Sequence, residues 1–180
     1  MMLHEFTFKK GKHLSKPFIN PFVGTNTKSI DAVVMFTEKS IYTCKDQLDW
    51  NKLCGLSWGF PFNKNAIMWA YRWNTEINSL QLSPYVNSNG ENFYLDGNVM
   101  PFVAEFKEPY YLKIEIEKGK DLSRIIFTVN REVANVFHEI YVYEHLSYIK
   151  TNSILVTKRR PYHGGNTTPN NDYSVFMRYL

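Results

Sequence analysis

The sequence predicts an all-β protein in which two sheets pack as a sandwich, with one short helix. Aromatic residues make up 16% of the 180 residues, including 13 Phe and 12 Tyr, and these types favour strands. Asparagine recurs where the chain must turn, which its tolerance of positive φ allows. About nine short segments of alternating polarity follow at regular spacing, a pattern typical of β-sandwiches.

The sequence predicts the least regular structure for the N-terminal part of the chain. Phe6 and Phe8 alternate with polar residues, which predicts an edge strand, and the prolines of "KPFINPFVG" exclude a central one. "SIDAVVMFTEKSIYTC" predicts one or two strands. Thr43 and Asp46 have the spacing of a helix start, which predicts one or two helical turns over residues 46–53.

The rest of the chain predicts strands. "REVANVFHEIYVYEHL" fits a helix or a strand, and its β-branched and aromatic run favours a strand over 136–144. The other predicted strands are "INSLQLSPYV" and residues 66–74, 110–119, 123–130, 153–158 and 172–180. No repeat or linker divides the chain. We expect residues 1–25 to form an extended N-terminal arm or edge strand, and residues 26–180 to form a single domain.

Composition excludes several classes of protein. With 44% apolar residues the chain is not disordered, and no segment resembles a signal core or could span a bilayer. We therefore expect a soluble protein made in a cytoplasm, without a membrane partner. A net charge of +4 is mild, so no nucleic-acid partner is expected. Cys44 and Cys54 fit neither a disulfide framework nor a zinc site, and no metal or cofactor is predicted.

A row of aromatic side chains is the first candidate binding surface. Trp69, Tyr71 and Trp73 share one face of a strand, and Trp58 and Tyr85 are expected nearby. If the row faces solvent, it forms a platform on which sugar rings can stack. If it faces inward, it is part of the core, which is the commoner place for such residues.

Two basic clusters are the candidate assembly contacts. Lys9, Lys10 and Lys12 lie near the N-terminus, and "KRRPYH" near the C-terminus. The members of the second cluster are Lys158, Arg159, Arg160 and His163. Solvated strand ends are the plainer interpretation. If the clusters do bind, an acidic protein surface is the expected partner, with contacts over residues 9–23 and 158–171.

The segment "RRPYHGGNTTPNND" (159–172) also has a catalytic interpretation. His163 next to two glycines resembles an oxyanion loop, but the Gly-x-Ser-x-Gly elbow of serine hydrolases is missing. The favoured interpretation is a closing turn in which glycines supply positive φ. Glu115 and Glu117 share a strand face as glycosidase carboxylates do, although outward charges on an amphipathic strand explain them. No catalytic residue is therefore predicted.

Two resemblances add to this pattern. The hairpin "YYLKIEIEKGKDLSRIIFTVN" resembles the concanavalin A-like and laminin-G-like jelly rolls. "DWNKLCGLSWGF", "AIMWAYRWN", "SLQLSPYVNSNGE" and "RPYHGGNTTPNND" together resemble uncharacterised proteins of Bacteroidetes and their tailed (crAss-like) phages, over roughly residues 30–180. The chain departs from that group at Ala70-Tyr71, where Gly-Trp is usual, and at His163, where Phe is usual. The resemblances imply a jelly-roll-like two-sheet β-sandwich of phage origin.

These observations predict a non-enzymatic structural or assembly protein. The expected setting is a phage virion, as a capsid auxiliary, decoration or fibre-associated protein, made in the host cytoplasm. The expected partners are protein subunits of a larger assembly. The alternative is a carbohydrate-binding, lectin-like module whose partner is a glycan bound by the aromatic row. A glycan-active enzyme using Glu115 and Glu117 is the third hypothesis.

Overall fold

A computed structural model describes residues 2–18, 27–59, 64–94, 100–148 and 156–180. The described chain is built from strands and one three-residue 3₁₀ helix, Glu38–Ser40. The strands are β1 (His4–Phe8), β2 (Ser15–Lys16), β3 (Ser29–Met35), β4 (Asn51–Trp58), β5 (Ala66–Asn74), β6 (Ser79–Ser88), β7 (Glu91–Tyr94), β8 (Phe102–Ala104), β9 (Pro109–Lys118), β10 (Ser123–Val133), β11 (Val136–Ser147), β12 (Val156–Arg159) and β13 (Tyr173–Tyr179).

Two antiparallel sheets pack face to face as a sandwich, which confirms the predicted fold class. Sheet A has seven strands in the order β11-β10-β9-β3-β13-β1-β2. Sheet B has the order β12-β4-β5-β6-β7, and β8 pairs with the other end of β6. Consecutive strands β4–β5–β6 and β9–β10–β11 are neighbours, as is common in antiparallel sheets.

The core lies between the sheets and follows the alternation of the strands. In β9, Leu112, Ile114 and Ile116 point inward, while the charged residues between them point outward. Trp69 of sheet B packs edge-on against Phe127 of sheet A, with ring centroids 5.4 Å apart. Burying each such side chain contributes about 1.5–3 kcal/mol, so this interface is the main source of stability.

Residues 4–8 form a strand of the sandwich, as their alternation predicts, and they are not a separate extended arm. β1 lies between β13 and β2 in sheet A. Phe6 and Phe8 are 3% and 0% exposed and belong to the core. β13 pairs with the whole of β1, whereas β2 pairs only with Thr7 and Phe8, so residues 4–6 keep one side without a described strand partner, as in an edge strand. Residues 19–26, the end of the predicted arm, lie outside the described residues.

The helix predicted over residues 46–53 is also wrong. Residues 45–48 form a turn, and β4 begins at Asn51. β4 pairs with β5 on one side and β12 on the other, and this pairing outweighs the local helix signal. A Cβ added at Gly55 would lie 2.1 Å from the carbonyl oxygen of Ile67. Glycine at that position lets the two strands approach each other.

The remaining strand predictions are confirmed where the chain is described. β5 covers residues 66–74 as predicted, and β11 contains the predicted 136–144 and extends to Ser147. Residues 153–155, the start of another predicted strand, lie outside the described part, and β12 begins at Val156.

Candidate functional site

The closing segment, residues 160–172, lies against the N-terminal hairpin at one end of the sandwich. Tyr162 and Lys52 exchange two backbone hydrogen bonds of 2.8 and 2.9 Å. The backbone N–H of His163 donates to the carbonyl of His13 at 2.9 Å. Gly11, in the turn between β1 and β2, donates to the carbonyl of Pro169 at 3.0 Å. The fold thus brings together the two predicted contact regions, which are far apart in sequence.

His163 is buried at this junction and cannot contact another subunit, so its prediction as an assembly contact is wrong. Its side chain is 1% exposed. The ring lies edge-on to Tyr42 and Tyr173, and its Nδ1 is 2.8 Å from the Tyr173 hydroxyl. That hydroxyl is 2.9 Å from the hydroxyl of Tyr71. Burial lowers the pKa of His163 to about 4, with a smaller contribution from His13, so the ring is neutral at pH 7.

The glycines after His163 close the chain onto the start of β4. The backbone N–H of Gly164 donates to Oδ1 of Asn51 at 2.6 Å. A Cβ at Gly164 would lie 2.3 Å from the carbonyl oxygen of Trp50, so this position must be small. The segment is a closing turn as predicted, but only Gly165 has the predicted positive φ, at 73°, whereas Gly164 is required for its small size.

The basic residues have different environments. Lys10 and Lys12 are exposed, and the ammonium of Lys9 pairs with Asp172 at 2.7 Å while remaining 64% exposed. Lys9, Lys10 and Lys12 are therefore accessible to a partner, and their role as contacts stays a prediction.

The C-terminal cluster is less accessible. The Lys158 ammonium lies 4.9 Å from the centre of the Tyr179 ring, and Arg159 is half-buried. Arg160 is 6% exposed, donates to the carbonyl of Ser15 at 3.4 Å and lies over the ring of Phe18. The prediction of Arg160 as an assembly contact is wrong, because its guanidinium is enclosed by the N-terminal hairpin.

The aromatic row is buried, so the predicted sugar-stacking platform is wrong. The five candidates are all at most 6% exposed: Trp58, Trp69, Tyr71, Trp73 and Tyr85. The first four face the core between the sheets. Tyr85 lies on the other face of sheet B, in a small cluster with Trp50, and the ammonium of Lys52 covers its ring at 4.3 Å. A sugar ring has no free aromatic face here, and the lectin hypothesis loses its candidate platform.

The two glutamates of β9 do share an outward face, and each is ion-paired. Glu115 lies 2.9 Å from the ammonium of Lys113, and Glu117 lies 2.9 Å from the guanidinium of Arg124. Each carboxylate is thus held in an ion pair at the surface, as is common for outward charges on a solvated strand face.

Sequence reasoning missed the most unusual surface of the molecule, which is the edge strand β11. None of its twelve residues is buried, and its only strand partner among the described residues is β10. Five apolar side chains on this strand are exposed. Besides Val136 at its start, four of them form what we call the β11 surface: Phe137, Ile140, Val142 and Leu146, which are 56%, 43%, 43% and 63% exposed. The run "FHEIYVYEHL" could have identified an amphipathic strand, but only the sheet order shows that it lies at an edge.

The pairing with β10 shows which way the side chains of β11 point. Tyr141 and Tyr143 are partly buried and pack against the core, so Val142, Glu144 and Leu146 point to the other face. Ile140 is the extra residue of a β-bulge, because Val129 pairs with Tyr141 and Asn130 already pairs with Glu139. Beyond the bulge, Phe137 returns to the outward face, where it contacts Tyr111 edge-on at 4.4 Å.

Charges on the outward face are arranged around Arg124. Its guanidinium donates to Glu117 at 2.9 Å and to the two carboxylate oxygens of Glu144 at 2.5 and 2.9 Å. These bonds raise the pKa of Arg124 and lower that of Glu144. Arg124 thus offsets part of the negative charge of the two glutamates near the C-terminal end of the β11 surface.

A cleft of about 340 Å³ opens between β7 and β11. Its lining includes Phe93, His145, Glu91 and Tyr148. The rings of Phe93 and His145 stack on each other at 3.8 Å, so each has one face occupied by the other. The hydroxyl of Ser88, at the end of β6, donates to the carbonyl of Tyr148, just after β11, and so links the two sheets at this end of the cleft.

Within the described residues, no group of three or more His, Cys, Asp or Glu is placed to hold a metal ion. The described part of the chain also contains no helix with the length and hydrophobicity needed to cross a membrane. No known protein-family model matches the chain, and no curated protein is significantly similar to it in sequence.

Proposed function

We propose that the protein is a non-enzymatic structural component of a larger protein assembly, and that it contacts other subunits through the β11 surface. The observation that carries the proposal is the exposure of four large apolar side chains along one edge strand. Proteins that act alone usually protect such edges, because unpaired backbone groups next to apolar side chains invite another chain to pair.

The exposed lysines at the opposite side of sheet A support a second contact. The turn between β1 and β2 carries Lys9, Lys10 and Lys12, and β2 is the edge of sheet A farthest from β11. A subunit with a contact at each edge of one sheet can join two neighbours. The more specific identity, a virion component of a tailed phage, rests on the sequence resemblance described above.

Sedimentation of lysates from cells that express the chain in its native context tests the proposal. In a density gradient, the wild-type protein should travel with fast-sedimenting particles, since an assembly component is part of a large complex. Val142→Lys should leave the protein folded but move it to the slow fractions. Ile77→Lys, which changes an apolar residue that is 55% exposed outside β11, should stay with the particles.

The opposite result is clear. A wild-type protein found only in the slow fractions, at the position of a free 21.2 kDa chain, would contradict the proposal.

A further inference from the structure

The four sheet edges of the sandwich differ in how well they are protected. β2 is two residues long and is followed by Pro17, which cannot donate to a ladder. The two edges of sheet B are also short: β12 and β7 have four residues each. β12 carries Lys158 and Arg159, which are the charges that discourage edge pairing.

β11 is different in length and in composition. It has twelve residues, which corresponds to about 40 Å of strand, and it contains neither Lys nor Pro. Every second backbone group along an edge strand points away from its own sheet and can bond to another strand. After the bulge at Ile140, seven consecutive residues, Tyr141 to Ser147, pair regularly with β10, which makes this the longest regularly paired part of the edge strand.

From this contrast we infer that β11 pairs with β11 of a second copy of this chain, antiparallel about a two-fold axis, so that two copies of sheet A become one continuous sheet. The inference rests on the proposed function, in that it names the subunit that the β11 surface contacts. Antiparallel pairing of one strand with itself is an isologous contact: each pair of residues away from the axis occurs twice, once on either side of it.

The faces of β11 limit the registers that are possible. Residues directly opposite each other in an antiparallel ladder lie on the same face, so outward residues must meet outward residues. An axis at Tyr141 or at Tyr143 would place Val142 opposite a glutamate of the other copy. An axis at Glu144 would place that carboxylate opposite itself.

An axis at Val142 gives the best match. The two copies of Val142 meet at the axis, and Tyr141 lies opposite Tyr143 of the second copy. Because the bulge takes up one residue, Leu146 then lies opposite Phe137 of the second copy. Aromatic and aliphatic pairs of this kind stabilise sheets.

The same register places Glu144 opposite Glu139 of the second copy. Arg124 holds Glu144 with two hydrogen bonds and also pairs with Glu117, so its single positive charge offsets this repulsion only in part, and this is the least favourable pair of the register. The apolar pairs at Val142 and between Leu146 and Phe137 argue for a second copy as the occupant of this edge.

Sedimentation equilibrium of the purified full-length chain, over a wide dilution series at micromolar concentrations, tests the inference. The wild type should show a monomer–dimer equilibrium. Val142→Lys places two like charges opposite each other and should weaken the dimer about tenfold or more. Ile77→Lys should leave the dissociation constant unchanged. A wild type that stays monomeric, or a dimer that Val142→Lys does not weaken, overturns the inference.

Cysteine cross-linking tests the register. Val142→Cys should form a disulfide-linked dimer on oxidation, because the two side chains face each other at the axis. Leu146→Cys mixed with Phe137→Cys should cross-link, while each of these variants alone should not. The wild type, with Cys44 and Cys54, is the baseline. No cross-link by Val142→Cys in a protein that dimerises would overturn this register.

These results separate the inference from the proposed function. A purified protein that stays monomeric but travels with particles in the gradient disproves self-pairing and leaves the assembly role standing. A purified protein that dimerises through β11 but never travels with particles supports self-pairing and disproves the assembly role.

Discussion

His163 shows how a residue with catalytic potential in sequence can be structural in the fold. In sequence, a histidine before two glycines has the composition of a reactive loop. In the structure its ring is enclosed by Phe8, Tyr42 and Tyr173, and its hydrogen bond to the Tyr173 hydroxyl uses one ring nitrogen within the core. The surrounding rings come from β1, from the segment after the 3₁₀ helix and from β13, and the sequence gives no sign that these segments meet.

The burial of His163 makes stability depend on pH. Its pKa is about 4 in the folded protein, against about 6.5 for an exposed histidine. A depressed pKa means that protonation favours the unfolded chain, so stability is intact above about pH 6.5 and falls as the pH drops towards 4. We expect His163→Phe to remove about 3 kcal/mol of the loss between pH 7 and pH 4, because the replacement cannot take up a proton.

Urea denaturation at a series of pH values between neutrality and pH 4 measures this effect. His138→Phe, which replaces an exposed histidine on β11, should keep the pH dependence of the wild type. An identical decline in the wild type and in His163→Phe would show that His163 does not carry it.

At the scale of the element, β1 behaves as a core strand. It contributes Phe6 and Phe8 to the core and pairs along its length with β13. We therefore expect a chain lacking residues 1–20 to lose its cooperative fold, because two buried aromatic residues and a sheet strand are lost against a typical stability of about 5–15 kcal/mol. Thermal unfolding, monitored by circular dichroism, measures whether the truncated chain still unfolds cooperatively.

A matched change at the surface of the same hairpin is the control. Lys10→Ala, at an exposed position, should unfold at the temperature of the wild type. A truncated chain that unfolds cooperatively at that temperature would restore the N-terminal arm predicted from the sequence.

The contrast between β5 and β11 gives a second prediction at this scale. Trp69 on β5 is 0% exposed, while Leu146 on β11 is 63% exposed. Trp69→Ala should cost about 3–5 kcal/mol of unfolding free energy, since it opens a cavity in the core. Leu146→Ala should change it by less than about 0.5 kcal/mol in dilute solution, where the chain is monomeric. Similar losses for the two variants would mean that β11 is not an exposed edge.

Much of the fold at this scale could be predicted from local pattern. Alternation identified β5, β9 and β10, since each strand has one face towards the core and repeats every second residue. The failures came from long-range pairing. The helix predicted over 46–53 is not formed, because β4 pairs with β5 and β12. The predicted aromatic platform is not formed either, because both faces of β5 are buried. Period alone cannot show which of two apolar faces is covered, or which strand lies at an edge.

At the scale of the whole molecule, three of the described sheet edges are formed by short strands and one is formed by a long strand. Short strands end sheet A at β2 and sheet B at β12 and β7, whereas β11 runs its full twelve residues beside β10 alone within the described chain. The exposed lysines and the β11 surface lie at opposite edges of sheet A. This asymmetry is what the assembly role proposed here depends on, and it is visible only once the order of strands is known.

Hydrogen–deuterium exchange at low and high protein concentration tests this role of β11 most directly. If β11 pairs with a second copy, peptides covering residues 136–148 should exchange more slowly at high concentration. The reason is that the backbone N–H groups at the free edge of β11 become hydrogen-bonded to the other copy. Peptides from β13, which lies inside sheet A, should not change, and Val142→Lys should abolish the difference. Exchange in β11 that is the same at every concentration would contradict the account.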